Sequence, residues 1–304
     1  MADQLLLDAP AKVNLTLDIK GKRADGYHEL ETVMHQISLA DRITITAIPQ
    51  GIEVSSNHPE LPADETNLAY RAAATLLKKY PDRGGVAIHI DKVIPIGAGL
   101  AGGSTDAAAV LKGLNTLYGL DLSVQELMSI GLEIGSDVPF CVQGGTALAR
   151  GRGEQLQALP PHIKLFLLLV KPKFSVSTAE VYGQYDSSKV TNSPDTRGFL
   201  EGWHHCDMIS ICHAMGNVLE TVTVALYPEI EQIKTCLVKR GALKALMSGS
   251  GPTVVGLFRD EASARQAWYD FSADDDKEVF LATSYDGRTA HGTETSATGQ
   301  LGIL

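Results

Sequence analysis

The chain lacks the features that mark several common protein classes. Its four cysteines, Cys141, Cys206, Cys212 and Cys236, are scattered with no C-x-x-C pair, which excludes a disulfide scaffold and a zinc ribbon. The one local group of ligand-type residues, His204, His205, Cys206, Cys212 and His213, has the spacing of no standard finger, so no protein-held metal is expected. Aromatic residues make up only 6% of the chain and the formal net charge is −10, so the basic, aromatic-laced patch of a nucleic-acid or anionic-membrane surface is missing. The longest apolar run, IKLFLLLV at 163–170, is far short of the ~20 residues of a membrane helix and reads as a buried strand. No basic segment followed by an apolar stretch opens the chain. The expected location is therefore the cytoplasm.

What is present is a globular composition, 44% hydrophobic and 20% charged over 304 residues, enough to fill more than one core. After Pro10 the residues Val13, Leu15, Leu17 and Ile19 alternate, predicting a strand with one apolar face. Further strands are expected at 31–39, 43–48, 51–55 and 86–91, and helices at 66–79, 104–117 and 123–134. The last of these is announced by Ser123 and Glu126, the spacing of a capping box. The pattern then restarts with a strand at 164–170, a helix near 178–185, a polar linker at 186–197, helices around 205–225 and 229–240, a strand at 253–258 and a helix at 260–271. These elements predict an α+β fold in two halves, 1–155 and 156–283. The Ser-, Thr- and Gly-rich residues 284–304 read as a disordered tail.

The most informative stretch is PIGAGLAGGSTDAA at 95–108. Its glycines allow left-handed backbone and close approach to a ligand, and a helix starting at Ser104 or Thr105 would point its free N–H groups at an anion. The string contains a formal G-x-G-x-x-G, but Asp121, at the right distance to hold a ribose, follows a loop and not a second strand, so a dinucleotide fold is disfavoured. No Gly-Lys-Ser/Thr closes the loop, which excludes a P-loop. A second glycine loop, MSGSGP at 247–252, could meet the first at a cleft between the halves. Each loop alone also reads as a tight turn between elements.

APAKVNLTL at 9–17, PIGAGLAGGSTDAA and MSGSGP, in that order, resemble the three signature segments of the GHMP kinase superfamily. The strings RADGYHELET and IGSDVPF are similar to the branch that phosphorylates the 2-hydroxyl of 4-diphosphocytidyl-2-C-methyl-D-erythritol, a step of the non-mevalonate route to isoprenoid precursors. The resemblance covers residues 5 to about 283. It implies a two-domain GHMP kinase fold with the active site in the interdomain cleft, ATP as phosphoryl donor and Mg²⁺. It implies no nucleic-acid or membrane partner and leaves the oligomeric state open. The departure is Ala101, where relatives often carry glycine; a methyl group there requires a negative φ.

The same resemblance distributes roles over this sequence. Asp137 would be the catalytic base and Lys12 its cationic partner. ATP would lie along Pro95, Ile96, Gly97, Ala98 and Gly99, continuing through Leu100, Ala101, Gly102 and Gly103 to the hydroxyls of Ser104 and Thr105, with Asn67 and Leu68 on the adenine side. Asn14 would hydrogen-bond the acceptor polyol, with Thr178 beside the substrate. Tyr27 and His28 would stack on and read cytosine, opposed by Tyr182. By pattern alone other readings stand: Asp137 as a loop aspartate capping the next element, Lys12 as an outward-facing strand residue, Asn67 as a helix terminus, Tyr182 as core. The rival functions are another kinase of the superfamily, acting on mevalonate, homoserine or a sugar, and a non-catalytic nucleotide-binding protein. DGYHE argues for a cytidine-bearing acceptor, because the rival acceptors carry no base.

Overall fold

The computed structural model describes residues 4–272, 276–285 and 287. In the first part of the chain, β1 (Gln4–Lys22), β2 (His28–Ile48) and β3 (Ile52–Ser56) precede α1 (Leu68–Lys79), β4 (Gly85–Asp91) and three helices, α2 (Gly102–Leu117), α3 (Val124–Ile134) and α4 (Val138–Gln143). The hairpin β5 (Thr146–Gly151) and β6 (Gln155–Ala158) follows. The second part runs β7 (Phe166–Pro172), α5 (Thr178–Gln184), α6 (Thr196–His204), α7 (Met208–Ala214), β8 (Gly216–Asn217), α8 (Glu220–Leu226) and α9 (Glu229–Lys239). It ends with β9 (Lys244–Met247), β10 (Val254–Phe258), α10 (Glu261–Ser272) and β11 (Lys277–Thr283).

These strands form a seven-stranded sheet, β3-β4-β2-β1-β8 with β5 and β6 branching from β2, and a four-stranded sheet, β11-β7-β10-β9. The two expected strands at 31–39 and 43–48 are one long strand, β2, because β1 pairs with it from Gln4↔Thr46 to Lys22↔His28. The register slips between Pro10 and Lys12 and again between Asn14 and Thr16, bulges that bend the strand and re-aim its side chains. β1 also lies beside β8, contributed by the second part. Its expected single apolar face is therefore wrong: residues 9–19 are all buried, with Val13 and Leu15 in one apolar cluster and Leu17 and Ile19 in another. A strand in the middle of a sheet packed on both faces has no solvent side.

Helix α3 starts as expected, with Ser123 accepting from Glu126 N at 3.3 Å and the Glu126 carboxylate accepting from Ser123 N at 2.8 Å. The helix expected over 205–225 breaks into α7, the short strand β8 and α8, and α6 begins inside the expected linker, capped by Asp195. Residues 284 and 285, counted with the expected tail, are held by the fold. Ser284 Oγ accepts from Leu165 N at 2.8 Å, and Tyr285 N donates to Gln36 O at 3.1 Å. Residues 288–304 lie outside the described residues.

A buried histidine joins the end of β11 to the large sheet. His35 bonds Thr146 Oγ1 at 2.7 Å and Ser284 Oγ at 3.0 Å, edge-on to Trp203. Burial pushes its pKa down from 6.5 to about 4, so protons bind the unfolded chain more readily between those values. Stability that His35 contributes above pH 6.5 is lost as pH falls through about 4, on the order of 3 kcal/mol for a shift of this size. Urea midpoints measured from pH 7 to pH 4 should fall less steeply for His35→Gln than for the parent; parallel curves would remove His35 from the acid response.

Candidate active site

The two glycine loops meet. Ser248 Oγ donates to Gly99 O at 3.0 Å and accepts from Asn14 N at 3.3 Å, while Asn217 Nδ2 holds the second loop by Met247 O and Gly249 O at 2.8 and 2.7 Å. The contact is so close that a Cβ on Gly99, whose φ is +74°, would lie 2.3 Å from Ser248 O. Lys12 N donates to Leu100 O at 3.1 Å, tying the first loop to β1. Beside this junction opens a cavity of about 1000 Å³ lined by both loops, β1, the β1–β2 turn, the β5–β6 turn and α5.

Within it, Lys12 is 5% exposed, and the outward-facing reading fails. Its ammonium lies 3.5 Å from Asp137 Oδ2 and donates to Asn14 Oδ1 at 2.7 Å. Asn14 in turn donates to Thr32 Oγ1 at 2.8 Å, so the face it shares with Lys12 is held in one geometry. Asp137 sits at the N-cap position of α4 but makes no side-chain capping bond. Its carboxylate is left to the cavity and to Lys12.

The phosphate-loop helix begins at Gly102, earlier than Ser104 or Thr105, and its N-cap Ala101 offers no side-chain acceptor to the first-turn amides. Ala101 departs from the expected negative φ. It has φ 59° and ψ 30°, a left-handed conformation that costs a methyl-bearing residue roughly 1–2 kcal/mol and that the surrounding loop contacts must enforce. Of the residues expected around ATP, Pro95, Ile96, Gly97, Ala98, Gly99, Ala101, Gly102, Gly103, Ser104 and Leu68 line the cavity; Leu100, Thr105 and Asn67 do not. Leu100 is core. Thr105 donates its hydroxyl to Pro10 O at 2.7 Å, and Asn67 caps α1 by accepting from Ala69 N at 2.8 Å. All three are occupied holding the site's walls together.

Sequence reading missed the support beneath the loop. Lys92, on the cavity floor, donates to Asp41 at 2.5 Å and Asp106 at 2.8 Å, both buried, and Asp41 accepts from Val93 N and Ile94 N at 2.6 and 2.8 Å. Burial opposes the charge on Lys92, but the two carboxylates outweigh it and raise its pKa; burial also pushes Asp106 up. No local motif signals this cluster, since its members come from β2, the start of the loop and α2.

The aromatic residues gather near the β1–β2 turn. His28 packs on Tyr182 at 5.5 Å and edge-on to Tyr185 at 6.0 Å. Tyr27 does not pair with Tyr182; it is 54% exposed and lies under the Arg152 guanidinium at 4.9 Å. Burial first, then Lys22, lowers the His28 pKa below its ordinary 6.5, so near neutral pH the ring is neutral and offers one donor and one acceptor. Burial, helped by the Asp137 charge, raises the Tyr182 phenol. Thr178 at the start of α5 bonds Ser250 Oγ at 2.8 Å, linking this end to the second glycine loop. Asp121 has φ 52° and lies between α2 and α3 without a strand, so the dinucleotide pattern has no β-α-β unit around it.

Family descriptions match two stretches of the chain: GHMP kinases N terminal domain over residues 67–145 and GHMP kinases C terminal over residues 205–275. The chain is 54% identical to the 4-diphosphocytidyl-2-C-methyl-D-erythritol kinase of Syntrophomonas wolfei subsp. wolfei, over 94% of this chain and 100% of that one. With the Bacillus pumilus enzyme of the same name it shares 51% identity over 87% of this chain and 92% of that one. A crystal structure of 4-(cytidine 5'-diphospho)-2C-methyl-D-erythritol kinase superposes with a TM-score of 0.80 at 34% identity, covering 92% of this chain and 98% of that one.

Proposed function

Because this chain belongs to the GHMP kinases, and among them to the 4-diphosphocytidyl-2-C-methyl-D-erythritol kinases, we propose that it transfers the γ-phosphoryl group of ATP to the 2-hydroxyl of 4-diphosphocytidyl-2-C-methyl-D-erythritol. The step belongs to the non-mevalonate route to isoprenoid precursors. The observation that carries the residue-level reading is the Lys12–Asp137 contact of 3.5 Å, in one cavity bounded by both glycine loops and the His28–Tyr182 pair.

In this reading Asp137 takes the proton of the acceptor hydroxyl as its oxygen bonds to the γ-phosphorus and the bond to the leaving ADP oxygen breaks. Lys12 holds Asp137 in place and balances charge at the reacting group. The amides at the start of α2 and the backbone from Gly97 to Gly103 receive the ATP phosphates. Among the described residues no three His, Cys, Asp or Glu side chains form a metal-holding group, and Asp137 is the carboxylate lining the cavity. That donor set suits a Mg²⁺ carried on the ATP phosphates, with Asp137 and the Ser104 hydroxyl in support; bound, the ion neutralises phosphate charge. Residues 1–155 and 156–283 form the two functional halves. Among the described residues no helix is long and apolar enough to cross a membrane.

An ATP-consumption assay with the cytidyl acceptor beside mevalonate and homoserine tests the activity. Turnover is expected with the first alone, and equal turnover with another acceptor would overturn the reading. For the base site, stacking is worth about 1–3 kcal/mol per aromatic residue removed. Tyr182→Ala should therefore weaken CMP binding by about 5- to 160-fold while the ATP Michaelis constant stays within twofold; unchanged CMP affinity would place cytosine elsewhere.

A further inference from the structure

The β5–β6 turn carries a cation that the assignments above leave unused. Gly151 and Gly153, with φ of 72° and 109°, flank Arg152, and the turn is pinned by Arg152 N donating to Glu154 Oε2 at 2.6 Å and Gly151 N donating to Glu29 Oε1 at 3.1 Å. So held, the Arg152 guanidinium reaches across to the Tyr27 ring at 4.9 Å. On its other side the turn abuts the reacting end: a Cβ on Gly153 would stand 3.9 Å from the carbonyl oxygen of Ser136, the residue before Asp137. The turn thus lies between Tyr27 and the backbone that precedes the reacting carboxylate, on the wall of the same cavity.

Among the described residues four cationic side chains line the cavity: Lys12, Lys22, Lys92 and Arg152. Lys12 is engaged by Asp137 and Asn14, and Lys92 is enclosed by Asp41 and Asp106. Lys22 is exposed at the rim. The half-buried Arg152 guanidinium makes no side-chain hydrogen bond to any described residue; the carboxylate whose charge it feels, Asp25, is taken by Arg23 at 3.2 Å and by Tyr27 N at 3.1 Å. A guanidinium braced on an aromatic face, with its N–H fork open, is suited to phosphate oxygens, which it grips at two points where an ammonium acts as a single charge.

We propose that Arg152 binds the diphosphate of the acceptor, the link between cytidine and methylerythritol, and so supplies binding energy between the base site and Asp137. The proposal rests on the kinase reading above, in which cytosine lies at His28 and Tyr182. It explains how a chain of net charge −10 draws an anionic acceptor to a site that also takes ATP.

Titration of cytidine, CMP and CDP into the full chain, with the ATP site filled by a non-hydrolysable analogue, tests it. For Arg152→Met, CDP affinity should fall about 10- to 100-fold and cytidine affinity no more than twofold. In turnover the acceptor Michaelis constant should rise while kcat and the ATP constant hold, and Arg152→Lys should recover part of the loss. Unchanged urea midpoints will show that the variants are folded. Equal losses on cytidine and CDP, or none on either, would overturn the role of Arg152 and leave the kinase reading standing. A parent protein that does not bind CDP would overturn both.

Discussion

Asp137→Asn is expected to lower turnover by about 10²–10⁴-fold, the usual worth of a positioned base, with ATP and acceptor binding retained. Asparagine keeps the shape of the side chain but cannot take the proton. The other reading, a capping aspartate, is tested by Asp137→Ala, which would then lose about 1 kcal/mol of stability, whereas asparagine caps a helix as well as aspartate. Asp137 makes no side-chain capping bond to α4, so the urea midpoint should scarcely move. Lys12→Met should also reduce turnover, and because its ammonium lies 3.5 Å from Asp137, the double variant should lose less than the sum of the single losses. Wild-type-like turnover in folded Asp137→Asn would remove the base from this position, and full additivity would mean that the two residues act separately.

Gly99→Val should affect the enzyme as a whole. Reasoning from the glycine loop alone forecasts a higher ATP Michaelis constant, with the acceptor little affected. The structure changes that forecast: the new Cβ would lie 2.3 Å from Ser248 O and 3.0 Å from Gly251 O, at a φ of +74°. These are backbone atoms of the other glycine loop and have no rotamer to move away. The expected result is a stability loss of about 2–5 kcal/mol, summed from left-handed strain and overpacking, with both Michaelis constants raised as the loops separate. Thermal melting and steady-state kinetics on one preparation check it. A normal melting temperature with only the ATP constant changed would show that the loops need not touch.

How far each feature could be read in advance follows from the range of the interaction behind it. The capping box at Ser123 and Glu126, the glycine-rich entry to α2 and the buried strand expected at 164–170 are set by neighbours within a few residues; the first appears where expected, and the other two are present with their starts at Gly102 and Phe166. Asn67 reads equally as adenine contact and as helix terminus, and its bond to Ala69 N shows that it caps α1. Thr105 looked like a free hydroxyl until β1 brought Pro10 O to 2.7 Å. Arg152 escaped notice although the G-R-G turn is visible in the string, since a turn does not reveal what it faces and Tyr27 lies on a different hairpin.

The sequence by itself determined the family, the two glycine loops, most helices and the identity of the polar residues available for chemistry, because each is written in composition or short-range pattern. The tertiary structure alone decided which of those residues share a cavity. Lys12 meets Asp137 only because β1 runs through the middle of a sheet with β2 on one side and β8 on the other, where its bulges turn polar side chains inward and alternation no longer separates core from solvent. The two glycine loops touch because Asn14, Asn217 and Ser248 hold them together across the chain. Such pairings are settled by packing between distant segments, and no spacing along the string encodes them.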